Sequence, residues 1–281
     1  MERLQPGSAP PLTQQGFDAA LDAAGLERSE AAAIWAVIEV ETAGVTQGFG
    51  FRPDRLPQLL FERHKFRAFT NGAFNTVDED ISGPAGGPYG SLASQLDRLH
   101  RAIDLCEGKG MPTEAAYKSA SWGLGQVMGF NHVAAGYASA REMARAMCAS
   151  EDAQLKAMAG FLGSTALAEK IREKDWAGFA RIYNGPNYAQ YQYDVKLEAA
   201  HDRFASGSGP DLRVRAAQAG LLLQRYSPGK IDGVLGKRTR DALLAYQGNR
   251  GLPATGVLDD DTYEDLMVTS GFAGVGVPVD P

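Results

Sequence analysis

Cysteine is nearly missing from this chain: Cys106 and Cys148 are all that 281 residues carry. Two cysteines build no disulfide framework. Each sits among apolar helical positions and reads as a core thiol, which suits folding in a reducing compartment. Long hydrophobic runs are missing too. No stretch of about 18 apolar residues occurs, so no segment is expected to insert stably in a membrane. The opening residues, MERLQPGSAPPLTQQG, hold no apolar h-region, and no signal peptide is expected. Basic charge is not in excess. The 28 Lys and Arg face 34 Asp and Glu, a net charge of −6, which argues against nucleic acid or an anionic membrane as partner. The four histidines, His64, His100, His132 and His201, show no H-E-x-x-H spacing. This argues against the zinc peptidase and amidase classes, and no metal or cofactor is expected.

What is present is a packable chain, 44% hydrophobic, with helical periodicity over most of its length. SEAAAIWAVIEVE reads as a helix from Ser29, its N-cap, to Glu41, with Gly44 able to end it. Residues 45–88 are rich in Gly, Pro, Asn and Asp, with a strand-like Leu59, Leu60 and Phe61. Loops and a small hairpin are expected there. Helices are expected again from Ser91 and at about 114–128, 139–148, 151–162, 175–183 and 188–204. The flexible joint SGSGP occupies 206–210. The expected fold is mainly α: an α+β domain over 1–207 with a small β insertion, then a small three-helix bundle over 208–270. The last residues, 271–281, read as a flexible tail. No internal repeat is read.

Chemistry concentrates in three places. At 100° per residue, Ile34, Val37, Ile38 and Glu41 share one stripe of the first long helix, while Glu39 points elsewhere. A glutamate on a buried face at a helix C-terminus has its carboxyl pKa raised by desolvation and by the helix dipole. SASWGLGQVMGFN (119–131) starts as a helix yet carries Gly123, Gly125 and Gly129, each costing up to ~1 kcal/mol of helix stability. Such glycines fit close approach of backbone to a ligand. FARIYNGPNYAQYQY (179–193) shows aromatics and amides around a turn, groups suited to sugars. Glu62 follows the strand-like stretch. It either orients water in a cleft or pairs with Arg63 or His64. Asp54, Asp78, Glu79 and Asp80 read as solvated loop charges.

Together, VIEVETAG (37–44), GLGQVMG (123–129) and YNGP (183–186) resemble motifs of the lysozyme superfamily, in the same order. With LLFERHKF (59–66) and YNGPNY (183–188), they resemble the N-acetylmuramidase domain of phage endolysins over roughly residues 15–205. The resemblance implies a lysozyme-like glycoside hydrolase that cleaves the β-1,4 bond after N-acetylmuramic acid in peptidoglycan. It makes Glu41 the catalytic acid, with Glu62 the candidate second catalytic group. Ser121, Gln126, Tyr183, Asn184 and Tyr188 would bind substrate. Residues 212–268 are similar to the three-helix peptidoglycan-binding domain. The markers are Gln218, the run from Ile231 to Thr239 with Asp232, Gly233 and Thr239, and Tyr246-Gln247. A monomer is expected, made in a host cytoplasm and released to the wall with a holin's help. Residues 1–207 are expected to fold and cleave alone, and 210–270 to bind sacculi. Two rivals stay open: a lytic transglycosylase, and a wall-binding protein without catalysis.

Overall fold

A computed structural model of the chain describes residues 3–43, 48–86, 90–207 and 209–272. Gly44 and residues 273–281 of the expected tail lie outside the described residues, while Phe272, expected in that tail, is fully buried in the core of the smaller unit. The helices of the larger unit are α1 (Gln14–Ala24), α2 (Ala31–Thr42), α3 (Arg63–Phe69), α4 (Leu92–Gly108), α5 (Glu114–Lys118), α6 (Ala140–Ala146), α7 (Glu151–Gly163), α8 (Leu167–Arg172), α9 (Trp176–Tyr183) and α10 (Tyr193–Ala205). Three short strands, β1 (Leu59–Phe61), β2 (Ala120–Trp122) and β3 (Val127–Met128), form an antiparallel sheet in the order β1-β2-β3. Three more helices follow: α11 (Leu212–Leu223), α12 (Lys237–Arg250) and α13 (Asp260–Thr269). Side-chain oxygens cap many of the starts, among them Thr13, Ser91, Ser139, Ser150, Asp175, Asp211 and Asp259. Each accepts a backbone N–H that the helix leaves without an internal partner.

Helix α2 is the centre of the larger unit. Ala33 through Ile38 are all buried, so the helix is enclosed on every side rather than along one stripe. Its long face lies on α10, and α1 packs on α7. Ser29 does not cap α2. It sits inside a 3₁₀ turn, Arg28–Glu30, where Glu27 and Glu30 form a reciprocal capping box. The 45–88 stretch holds a minimal hairpin, with Phe51 bridged antiparallel to Pro57, and a second lies outside it: β2 and β3 fold on each other, and Leu59 pairs with Trp122 across the sheet. The segment expected to be helical over 114–128 is therefore one short helix and then a hairpin. Its glycines serve that turn. Gly123 has φ +70, and a Cβ on Gly125 would meet Met158 Sδ at 2.6 Å and the Tyr183 hydroxyl at 2.9 Å. The close approach at these glycines is between parts of this chain. Asp78 and Asp80 are not simply solvated. Arg101 reaches both of them, and Arg98 reaches Asp80, which ties the 78–80 loop to α4.

The module formed by α11, α12 and α13 is built around two buried glutamines. Gln218 donates to Asp232 Oδ1, the Val234 carbonyl and Thr239 Oγ1, and accepts from Gly233 N. Gln247 repeats the plan: it donates to the Val257 carbonyl and Thr262 Oγ1, and accepts from Thr255 N and Gly256 N. The two loops read GVLGKRT and GVLDDDT. The module therefore does contain an internal repeat, carried by hydrogen bonding more than by sequence.

This module is not free on its joint. Ala9, Phe49 and Phe51 of the larger unit share an apolar cluster with Ala216, Leu221, Ile231 and Leu266 of the module. Both phenylalanines are fully buried, worth roughly 1.5–3 kcal/mol each. Beside them Arg215 of α11 clasps Glu151 of α7 with both terminal nitrogens, and both residues are buried.

Candidate active site

The C-terminal turn of α2, β1 and the β2–β3 hairpin converge on a cleft of about 500 Å³. Glu41 lies on its wall. Burial pushes its carboxyl up to about 7, against a hydrogen bond from Asn184 Nδ2 to Glu41 Oε1 at 2.8 Å that pulls it down. The carboxyl is partly accessible from the cleft yet largely desolvated, as a proton donor near neutral pH must be. Glu39 leaves the cleft. It pairs with Arg203 of α10 at 2.5 Å and lies 3.5 Å from Lys230 of the module.

The hairpin supplies a second wall. Ser121 and Gln126 both line the cleft, and Ser121 Oγ donates to Gln126 Oε1 at 2.8 Å. Gln126 Nε2 donates to the Gly123 carbonyl. Gln126 has φ +45, a left-handed conformation uncommon for a residue with a Cβ. Backbone strain of this kind persists where surrounding structure enforces it. Glu62, just past β1, also faces the cleft, with its carboxylate 3.2 Å from His64 Nδ1. Both readings of Glu62 are thus present at once: it lines the cleft and it has the His64 imidazole beside it. Arg63 is not that neighbour, since it donates to the carbonyls of Pro84 and Gly86.

The end of α9 closes the site. The Tyr183 hydroxyl donates to the Gly125 carbonyl. Burial and the nearby Glu41 carboxyl hold its pKa well above the usual value. Asn184 Oδ1 is buried with no hydrogen-bond partner among the described residues. Tyr188 does not line the cleft; its ring lies against Arg181. Tyr193 takes that place, with Gln95 and Met128. Sequence spacing missed all three. Only Gln95 had a visible clue, a polar residue one position before Leu96 on the apolar side of α4. It accepts from Phe61 N and so braces β1.

In the smaller module, Gly233 and Thr239 are buried, and Asp232 is partly so. Their polar groups are engaged around Gln218. At Gly233 a Cβ would meet Asp211 backbone at 2.7 Å, so only glycine fits. What these loops leave outside are Val234 and Val257, each 57% exposed. Among the described residues no cluster of three or more His, Cys, Asp or Glu gathers to hold a metal, and no helix is long and apolar enough to cross a membrane. Cys106 and Cys148 are free and buried.

Two protein-family models match the chain: N-acetylmuramidase over residues 30–205 and the peptidoglycan-binding domain over 211–266. Among solved structures, a Burkholderia AP3 phage endolysin is similar, at 34% identity and a TM-score of 0.57. The likeness covers 69% of this chain and 70% of that one. No curated protein matches.

Proposed function

Because the chain belongs to the N-acetylmuramidase family, a family of glycoside hydrolases, we propose that it cleaves the β-1,4 bond between N-acetylmuramic acid and N-acetylglucosamine, with Glu41 as general acid. The observation that carries this is the Glu41 carboxyl, held up to about 7 on the wall of the cleft with Asn184 and Tyr183 against it. Glu41 gives its proton to the glycosidic oxygen as the C–O bond breaks. Water attacks the sugar carbon and loses a proton to Glu62. Each cut thus consumes one water. Ser121, Gln126 and Asn184 offer amide and hydroxyl groups to the sugar's acetamide and hydroxyls. Tyr183 lies close to the Glu41 carboxyl, and Tyr193 lends its ring to the cleft wall.

The 208–270 module supplies attachment to peptidoglycan, its family's ligand, through loops organised by Asp232, Gly233 and Thr239. Wall release in the manner of an endolysin fits this pairing of modules, with delivery across the membrane left to a holin and the protein acting as a monomer. The test is mass spectrometry of purified peptidoglycan after digestion. Products heavier by one water per cut are expected. Anhydro-sugar ends would instead make the protein a lytic transglycosylase. Glu41→Gln should abolish cleavage while fold and sacculus binding persist; a variant that still cleaves would remove Glu41 from the acid's role.

A further inference from the structure

We propose that Arg215, a residue of the wall-binding module, is a positioning residue for glycan cleavage, so that the module forms part of the catalytic unit as well as an anchor. The proposal rests on the hydrolase reading above. Arg215 is 1% exposed and Glu151 is fully buried. The guanidinium clasps both carboxylate oxygens and donates from Nη2 to the Gly48 carbonyl at 2.5 Å. Glu151 then accepts from Leu12 N and Gly50 N, each at 2.8 Å. Hence one arginine from the module completes a charge site otherwise built by α7 and two loops of the larger unit.

The chain of bonds does not stop there. The Gly50 carbonyl accepts from Gln58 N at 2.8 Å, and the Gln58 carbonyl accepts from Gly123 N at 2.8 Å. Gly123 in turn accepts from the Gln126 side chain, in the cleft. Gln58 leads directly into β1, after which Glu62 emerges. A Cβ on Gly50 would meet Gln154 Oε1 at 1.9 Å. The same Gln154 oxygen accepts from Leu124 N. The 48–58 loop and the hairpin turn are therefore pinned to one face of α7, and Arg215 closes that face. Without it, Glu151 would be a buried charge lacking its counter-ion, and the Gly50 link would relax. A displacement of about 1 Å in a catalytic wall is enough to cost up to ~10²-fold in rate.

Full-length protein carries the test. Arg215→Met alone strands the Glu151 charge, so the informative form is Arg215→Met with Glu151→Gln, which removes both charges together. Turnover is measured on a short, soluble, uncross-linked oligomer of the N-acetylglucosamine–N-acetylmuramic acid repeat, which needs no anchoring. Sacculus co-sedimentation and circular dichroism are read on the same preparation. The expected result is a folded protein that still sediments with sacculi, its kcat down by ~10-fold or more and its KM within about two-fold. Arg215→Lys, which keeps the charge but loses the fork, should fall between parent and double variant in kcat. A folded double variant with kcat within two-fold of the parent would overturn the proposal. Failure of the parent itself to cut the oligomer would count instead against the hydrolase reading.

Discussion

At the scale of single residues, Glu41 and Glu39 sit two positions apart and face different surroundings. Stripe geometry separates them correctly, though its premise fails, because α2 is buried all round. What distinguishes them is where the helix ends: Glu41 opens on the cleft, and Glu39 meets Arg203. The raised Glu41 pKa has a consequence for stability whose sign follows from proton counting. Between 4.5, the ordinary value, and about 7, the folded chain keeps a proton that the unfolded chain has lost. Stability therefore falls as pH rises through that window, and the full penalty, on the order of 3 kcal/mol, stands above pH 7. Glu41→Gln, neutral at every pH, should show a thermal midpoint that gains on the parent from pH 4.5 to 7 and then holds its lead. A gap independent of pH would contradict the buried-acid assignment. Activity should hold through that window and fall as pH rises through about 7, where the folded protein loses the Glu41 proton. Glu62 is the other carboxylate in the cleft, and Glu62→Gln should lower kcat by ~10²-fold if it takes the water's proton. A lowered midpoint with unchanged turnover would leave it only as the partner of His64. The His64 contact was one of the readings local sequence offered; the Asn184–Glu41 contact was not legible, because it joins positions 143 apart in the chain.

At the scale of elements, strand β1 was legible and its partners were not. Leu59, Leu60 and Phe61 stand out as apolar β-formers between turn residues, whereas Ala120, Ser121 and Trp122 make a strand only because β1 is there to pair with them. Local propensity favoured a helix, and three-residue strands lie below the reach of periodicity. The repeat in the smaller module escaped for a related reason. Its two halves share little beyond GVL, a threonine and a glutamine, and the likeness lies in what each glutamine binds. Equal architecture predicts equal cost. Gln218→Ala and Gln247→Ala each orphan buried backbone groups, at ~1–3 kcal/mol per group. Each should therefore lower the unfolding free energy by about 3 kcal/mol, measured by denaturant melts. A large loss from one and none from the other would mean that the two loops are not equivalent supports.

At the scale of the whole molecule, the order of the two units along the chain was readable from composition and motif, and their docking was not. SGSGP speaks for a pliable joint, but composition describes only the joint. The Arg215–Glu151 pair links positions 64 apart, and nothing local in either residue announces it. Since Phe49 and Phe51 complete the module's apolar cluster, the two units should melt together. One calorimetric transition is expected for the full chain; two well-separated transitions would show that the shared cluster contributes little. The two sealed cysteines extend this picture into time. Burial pushes both thiols up to about 11, so in the native state neither offers a thiolate to an alkylating reagent. Each becomes a clock that starts only when its own surroundings open. Cys148 lies in the core of the larger unit, three residues before Glu151, and Cys106 lies in the same core near the end of α4. Their two labelling rates would report separately how often that core opens ahead of α7 and how often it opens at the end of α4.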